Sequence, residues 1–505
     1  MNVAIRVDAS GQIGTGHFMR CLTLADALHT RAIAIRFISR HLPQYLQKIL
    51  TEKGYECTLL EGLPTDSFAE DLAHSHWLET TQSADAEAVV QVLSDKTWEW
   101  MIVDHYALDS RWESALRQTV RRILVIDDIA DRPHDCDVLL DQNFYSDMEA
   151  RYAGKVPAYC KLLLGPRYAL LRDEFRQLRQ QLKPRTVPVK RILLFFGGVD
   201  TENYTAKALS ALDGNRLGSI HVDVVIGLQN PFRAQIEALC AAREFTSHVQ
   251  TSRMGELMAA ADLAIGAGGS ATWERCCLGL PTIAIATAEN QIMQVRDAAC
   301  EGLLYAPDTD EDVTGSIHRH LFALIENTNL LRLLSRNAFC AVDGKGVLRV
   351  IREMRCSGIE IRISTLDDSE NLFKWRNHNM IRAVSRNSHK IEWRDHQKWF
   401  AAVLSSSERA LLIGTLHEVA VGVVRFDIQD SVADVSIYVV PDIHLSGIGY
   451  ELLQSAEEWL KKFRPEIDVI KAVVLGGNER SHHLFSGAGY KAESTSYLKR
   501  IHAHG

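Results

Sequence analysis

The chain has no CxxC pair: its ten cysteines are scattered from Cys21 to Cys356, so neither a disulfide framework nor a zinc site of paired cysteines is encoded. That is reduced, cytosolic usage. It also has no run of about 18 uncharged apolar residues, and the one apolar run at its start, MNVAIRVDASGQ, is broken by Arg6 and Asp8. The pattern predicts neither a signal peptide nor a membrane span, hence a soluble cytoplasmic protein. Excess positive charge is missing as well: 56 Lys plus Arg stand against 64 Asp plus Glu, a net charge of -8 with both signs dispersed. A phosphate-backbone binder is expected to be basic, so nucleic acid is not the expected partner. Repeats and low-complexity tracts are lacking too. What is present is length and apolar content. The 505 residues correspond to about three folding units, and 46% hydrophobic residues supply several cores.

The first third alternates short β-branched runs with amphipathic helical patterns, the signature of a helix-covered parallel sheet. Val3 to Val7, Ile33 to Ile38, Met101 to Asp104 and Ile123 to Ile126 read as strands, and His17 to Leu28 as a helix. The breaker-rich stretch Lys183-Pro-Arg-Thr-Val-Pro188 reads as a hinge, after which strand, glycine turn and helix restart at Ile192. Near Gly358 the composition changes again, and Leu411 to Gly414, Val419 to Phe426 and Val432 to Val440 read as an antiparallel meander followed by an amphipathic helix. The expected units are therefore 1–182, 183–355 and 356–505, two α/β lobes flanking a cleft and a third, α+β unit.

Two glycine-bearing turns carry the chemistry of the lobes. The first, Asp8-Ala-Ser-Gly-Gln-Ile-Gly14-Thr-Gly16-His17-Phe-Met-Arg20, joins a strand to a helix. His17 falls at the positive helix end, which favours the neutral imidazole that accepts a proton, so it is the candidate general base. The second, Gly266-Ala-Gly268-Gly269-Ser270-Ala-Thr272-Trp-Glu274, offers amides and two hydroxyls to a diphosphate without a metal, and Glu274 as an acceptor for ribose hydroxyls. Asn290-Gln291 ends a further strand on the same cleft. Tyr106 and Asp104 are equally placed at the end of a strand facing the cleft, and Asp104 reads as a loop hydrogen-bonding residue.

The stretches Arg6-Val-Asp-Ala-Ser10, Gly14-Thr-Gly-His-Phe-Met-Arg20, Asp104-His-Tyr106, Asp127-Asp128, Gly197-Gly-Val-Asp200, Gly268-Gly-Ser-Ala-Thr-Trp-Glu274 and Asn290-Gln291 occur in order across both lobes. On them the first ~345 residues resemble the UDP-sugar hydrolases of pseudaminic acid biosynthesis, relatives of GT-B glycosyltransferases. The resemblance implies a two-lobed GT-B-like fold of two Rossmann-like domains and hydrolysis of UDP-2,4-diacetamido-2,4,6-trideoxy-β-L-altropyranose at C1, with His17 activating water. Beside His17, Asn290, which could orient sugar or water, and Tyr106 at its strand end are the candidate catalytic residues. The substrate-binding set is Gly14, Gly16, Arg20, Gly268, Gly269, Ser270, Thr272, Glu274 and Gln291.

In the third unit, strand Val432 to Val440 runs through His444-Leu-Ser-Gly447-Ile-Gly449 into a helix, and Asn478-Glu-Arg-Ser481-His-His-Leu-Phe485 follows a strand read over Val469 to Leu475, which is expected to splay from its neighbour to admit a pantetheine arm. From about Ile359 to Ile501 this unit resembles the GNAT-superfamily N-acetyltransferases. Phe373-Lys-Trp-Arg-Asn377 and His396-Gln-Lys-Trp399-Phe400 narrow the resemblance to those acting on amino sugars in nucleotide-sugar pathways. The resemblance implies acetyl-CoA as co-substrate, held at Ile437, Val439, His444, Gly447, Gly449, Asn478 and Ser481. The chain departs from the family at His444, usually Gln or Arg, at Leu445, an expected glycine, and at Phe485, where the proton-donating tyrosine is expected. His482 is a second candidate acid, although it and His483 read first as solvated helix residues. Trp375 and Trp399 are assigned to packing. A bifunctional enzyme with a UDP-linked amino sugar and acetyl-CoA as ligands is the leading expectation. A glycosyltransferase, a binding-only C-terminal module, and a different acceptor or acyl donor stay open.

Overall fold

The computed structural model describes residues 1–61, 72–182, 185, 188–212, 214–309, 312–354, 359–385, 387–416, 418–443, 447–475 and 477–493. They fall into two compact units, Met1–Met354 and Arg355–Gly505. Most of the hinge expected at 183–188, the junction at 356–358 and His444 lie outside the described residues.

The first unit holds two parallel sheets. Strands β1 (Asn2–Val7), β2 (Ala34–Ser39), β3 (Glu56–Leu59), β4 (Trp98–Asp104), β5 (Val120–Ile126), β6 (Val138–Asp141) and β7 (Lys161–Leu164) form one. Its order is β3-β2-β1-β4-β5-β6-β7. Central strands read as near-continuous apolar runs because helices cover both faces, and β4 is buried along almost its whole length. The chain winds outward from β1 to β3 and then crosses back to β4, which makes the gap between the carboxyl ends of β1 and β4 a topological switch point. The helix Gly16–His29 starts there.

The second sheet comprises β8 (Arg191–Phe195), β9 (His221–Ile226), β10 (Thr246–Val249), β11 (Leu263–Ala267) and β12 (Thr282–Ile285), in the order β10-β9-β8-β11-β12. Its switch point lies between β8 and β11, where the helix Ala271–Cys277 follows the glycine-rich turn. Gly268 is dictated by packing there: a Cβ would stand 2.1 Å from Val295 Cγ2, inside any contact distance. The core under this sheet gathers Ile192, Leu194, Val224, Ile265 and Ile283 with the helix residues Ile317, Leu321 and Leu334.

The second unit is an α+β layer. Strands β13 (Glu360–Ile363), β14 (Arg409–Leu416), β15 (Val419–Gln429), β16 (Val432–Val439) and β17 (Val469–Ala472) lie in sequence order, antiparallel up to β16 and parallel between β16 and β17. The helix Ile448–Phe463 lays Leu452, Leu453, Ala456 and Leu460 on the sheet. Gly447 begins it at φ 81°, a left-handed conformation that a side chain would strain. β17 is shorter than expected. Its pairing stops at Val435↔Ala472 while β16 continues to Val439, because the two strands part there and no ladder holds Val473 to Leu475.

Candidate active site

At the β1/β4 switch point, His17 and Arg20 share the inner face of one helix, three residues apart, and both meet the last residue of β4. His17 Nδ1 lies 2.5 Å from Asp104 Oδ1. Arg20 binds the same carboxylate bidentately, Nε to Oδ2 at 2.6 Å and Nη2 to Oδ1 at 2.7 Å. Asp104 is only 1% exposed. Burial alone would raise its pKa, but Arg20 and His17 beside it hold the carboxyl well below the ordinary carboxylate range. An ionised carboxylate only accepts, so it fixes the proton of His17 on Nδ1 and leaves Nε2 as the acceptor of the neutral ring. Among the described residues Nε2 has no hydrogen-bond partner. Asp104 is therefore not a loop-bonding residue: it ends a central strand and orients the imidazole.

A second carboxylate extends the cluster. Arg20 Nη1 donates to Asp128 Oδ2 at 2.8 Å, and the Tyr106 hydroxyl donates to Asp128 Oδ1. Tyr106 is 5% exposed. Burial first, then Asp128, pushes its phenol well above the usual range, so it stays protonated. Its ring stacks on Trp77 at 5.5 Å and meets the His17 ring edge-on at 4.6 Å, which pins the imidazole from the side. Tyr106, expected to face the cleft, is thus buried, and its hydroxyl is engaged by Asp128. Gly14, at φ 76°, closes the turn ahead of the helix through its N–H to the Ser10 carbonyl at 2.9 Å, and no atom lies within 4 Å of a Cβ at Gly16.

In the other lobe, Ser270 and Asn290 are exposed, the latter in the first turn of the helix Glu289–Cys300. Gln291 folds back so that Oε1 accepts from the Thr287 N–H at 3.0 Å and its hydroxyl at 3.2 Å. Its Nε2 is 3.6 Å from where a Gly269 Cβ would stand. Thr272 departs from expectation: it is 1% exposed and its hydroxyl accepts from Arg275 Nη2 at 3.1 Å, turned into the helix packing rather than toward a ligand. Glu274 is partly buried. Burial raises its pKa, opposed first by Arg172, whose Nη2 stands 3.7 Å from Oε1.

In the second unit, Ile437 and Val439 lie on the stretch of β16 that β17 leaves open, with Gly447 and Gly449 at the start of the next helix. Asn478 caps the helix Glu479–Gly487, its Oδ1 accepting from the Ser481 N–H at 3.2 Å. Phe485 is buried against Tyr490, ring centroids 5.0 Å apart, and the Tyr490 hydroxyl donates to Glu457 at 2.7 Å. His482 and His483 are exposed, as expected. Trp399 is not a core residue: 37% of it is exposed, and Arg425 stands 6.0 Å from its ring. Sequence reasoning missed the arginines here. Arg376 Nη1, Arg382 Nε and Arg425 Nε are buried without a hydrogen-bond partner among the described residues. Burial lowers the Arg376 pKa, Tyr438 opposes it, and Arg425 and Arg382 lower it further by repulsion. Arg425 Nη2 pairs with Asp427 at 2.8 Å, and Arg376 and Arg382 each donate to one backbone carbonyl, so the cluster keeps unpaired N–H groups that suit an anionic ligand. The one signal in the sequence is Arg376 within Phe373-Lys-Trp-Arg-Asn377.

Two classes are defined by this architecture: a two-lobed, GT-B-like α/β unit with its polar cluster at a switch point, and a GNAT α+β domain with a parted strand pair. Residues 370–490 match the family model described as Acetyltransferase (GNAT) family. Over 221 residues, 44% of this chain and 69% of the relative, the protein is 28% identical to the UDP-2,4-diacetamido-2,4,6-trideoxy-beta-L-altropyranose hydrolase of Campylobacter jejuni. An uncharacterized protein of Methanocaldococcus jannaschii is 22% identical over an alignment of 516 positions that covers 97% of each chain. Among solved structures, the Phytolacca americana UGT2 complexed with UDP-2fluoro-glucose and pterostilbene superposes with a TM-score of 0.50 at 10% identity, covering 70% of this chain and 98% of that one. This last likeness shows the fold alone. The chain thus joins a segment similar to a nucleotide-sugar hydrolase to a GNAT acetyltransferase domain. Among the described residues no helix is long and apolar enough to cross a membrane, and no group of three or more His, Cys, Asp or Glu is placed to hold a metal ion.

Proposed function

We propose that the protein is a bifunctional nucleotide-sugar enzyme that removes UDP from a UDP-linked 2,4-diacetamido-2,4,6-trideoxy sugar and N-acetylates the UDP-4-amino precursor with acetyl-CoA. The observation that carries the first activity is the buried Asp104 carboxylate on His17 Nδ1, with Nε2 left free. In this reading Nε2 takes a proton from water as the oxygen attacks C1, and the C1–O bond to UDP breaks on the opposite face, inverting the anomeric centre. Asp104 keeps the ring in place and stabilises the imidazolium that forms, and Arg20 holds that carboxylate in position. UDP is a good leaving group, and the amides around Gly268, Gly269 and Ser270 would meet the charge it acquires. Asn290, exposed at the start of its helix, is assigned to orienting sugar or water.

For the second activity, the open edge of Ile437 and Val439 and the glycine-rich helix start at Gly447 and Gly449 suit a pantetheine arm and its pyrophosphate. The under-satisfied guanidinium groups of Arg376, Arg382 and Arg425 favour an acceptor that carries a diphosphate over a neutral amino sugar. Acetylation at N4 followed by loss of UDP would be consecutive steps on one molecule.

Mass spectrometry of the intact protein with the UDP-4-amino sugar, with and without acetyl-CoA, tests both activities and their order. His17→Ala is expected to lower UDP release by about 10²- to 10⁴-fold while leaving acetyl transfer unchanged. Equal UDP release by the wild type and His17→Ala would refute the hydrolytic assignment, and a requirement for an acceptor other than water would make the protein a glycosyltransferase.

A further inference from the structure

Asn143 lies just beyond β6, in neither glycine-rich turn, and nothing in its immediate sequence marks it. It is 8% exposed, and its side chain spans the two lobes. On one side Oδ1 accepts from the indole N–H of Trp273 at 2.9 Å. Trp273 is fully buried in the helix that follows the Gly268-Gly269-Ser270 turn. On the other side Nδ2 donates to Asp128 Oδ2 at 3.3 Å, the oxygen that also receives Arg20 Nη1 at 2.8 Å. The amide orientation is forced by chemistry: an indole N–H can only donate and an ionised carboxylate can only accept, so oxygen must face Trp273 and nitrogen must face Asp128. The Asn143 backbone N–H is tied in turn to Asp141 Oδ1 at 2.9 Å, which sets the side chain's starting point. Among the described residues Asn143 is the one side chain hydrogen-bonded both to the glycine-rich helix of the second lobe and to the carboxylate cluster of the first.

We infer that Asn143 is a positioning residue that registers the diphosphate-binding turn of the second lobe with the His17 site of the first, through Trp273, Asn143, Asp128, Arg20 and Asp104. Every link is a hydrogen bond of fixed polarity between buried or nearly buried groups, so a displacement of the Trp273 helix is passed to Arg20 and from it to the carboxylate that holds His17 Nδ1. The consequence is geometric. A substrate held by its diphosphate in one lobe must present C1 to a water activated in the other, and a misplacement of about 1 Å can cost 10²-fold in rate. The inference rests on the hydrolytic reading proposed above.

Steady-state UDP release by the full-length protein tests it. Asn143→Ala is expected to lower kcat about 10- to 100-fold with KM changed less than about threefold, since both ends of its side chain are engaged by Trp273 and Asp128. Trp273→Phe keeps the buried ring and removes only the N–H. It is expected to lower kcat about 3- to 10-fold, and it keeps the question answerable if Asn143→Ala does not fold. Added to Asn143→Ala, it is expected to cost nothing further, because the shared link is already gone. Ser146→Ala is the comparison for simple lobe docking. Ser146 also bonds across the lobes, Oγ to Asp297 Oδ2 at 3.0 Å, but lies off the path, so its kcat should match the wild type within about twofold. Wild-type kcat in Trp273→Phe and Asn143→Ala, or an equal loss in Ser146→Ala, overturns the relay and leaves the hydrolytic reading standing. Absence of UDP release from the wild type overturns both.

Discussion

His134 shows how single residues brace the site from behind. Its Nδ1 lies 2.7 Å from Glu113 Oε1 and its Nε2 3.8 Å from Asp127 Oδ2, next to the Asp128 of the cluster. Burial lowers the imidazole pKa, but Glu113 and Asp127 outweigh it and raise the value to about 9. The folded pKa stands above the ordinary 6.5, so the stabilising contribution is complete below about pH 6.5 and is lost as pH rises through about 9. Urea unfolding is expected to show a fall on the order of 3 kcal/mol across that window in the wild type and no such fall in His134→Gln. Parallel pH profiles for the two proteins would remove the assignment. At this scale the sequence was legible for His17, whose place after a glycine turn at a helix start marks it. It was misleading for Asp104, since a carboxylate at a strand end reads the same whether it caps a loop or aligns an imidazole 87 residues away.

Among the elements, the glycine-rich turn after β11 is set by packing as much as by any ligand. Gly268→Ala drives a methyl into Val295, which is 5% exposed and has no room to retreat, so a loss of about 1–3 kcal/mol and weaker UDP binding are expected. Adding Val295→Ala should restore much of both, read by thermal unfolding and UDP titration. A double variant no better than the single would mean that the turn is constrained by something else. Strand and helix identities were legible because they follow from apolar spacing within a few residues. The end of β17 was legible in part: a splay of this strand from its neighbour was expected, but not that pairing would end at Ala472, since Val473 to Leu475 continue the apolar pattern.

For the whole molecule, the two compact units predict separable activities. A chain ending at Met354 is expected to keep UDP release within about threefold of the full-length rate. Met354 itself must remain, because its buried carbonyl accepts from Trp100 Nε1 at 3.1 Å. Loss of UDP release from that chain, with its fold intact by circular dichroism, would show that the second unit is needed for the first reaction.

Local order, and with it the α/β and α+β character of the parts, was determined by the sequence alone: apolar periodicity sets strands and helices, and glycines before helix starts announce where anions can approach. The tertiary structure alone decided which groups meet. His17, Asp104, Asp128, Asn143 and Trp273 come from separate strand ends and helices, with 130 residues between the last two. Their hydrogen bonds depend on strand order, on the switch point beside β1 and on the docking of one lobe against the other. Those are properties of the whole packed first unit, and no short window of sequence encodes them.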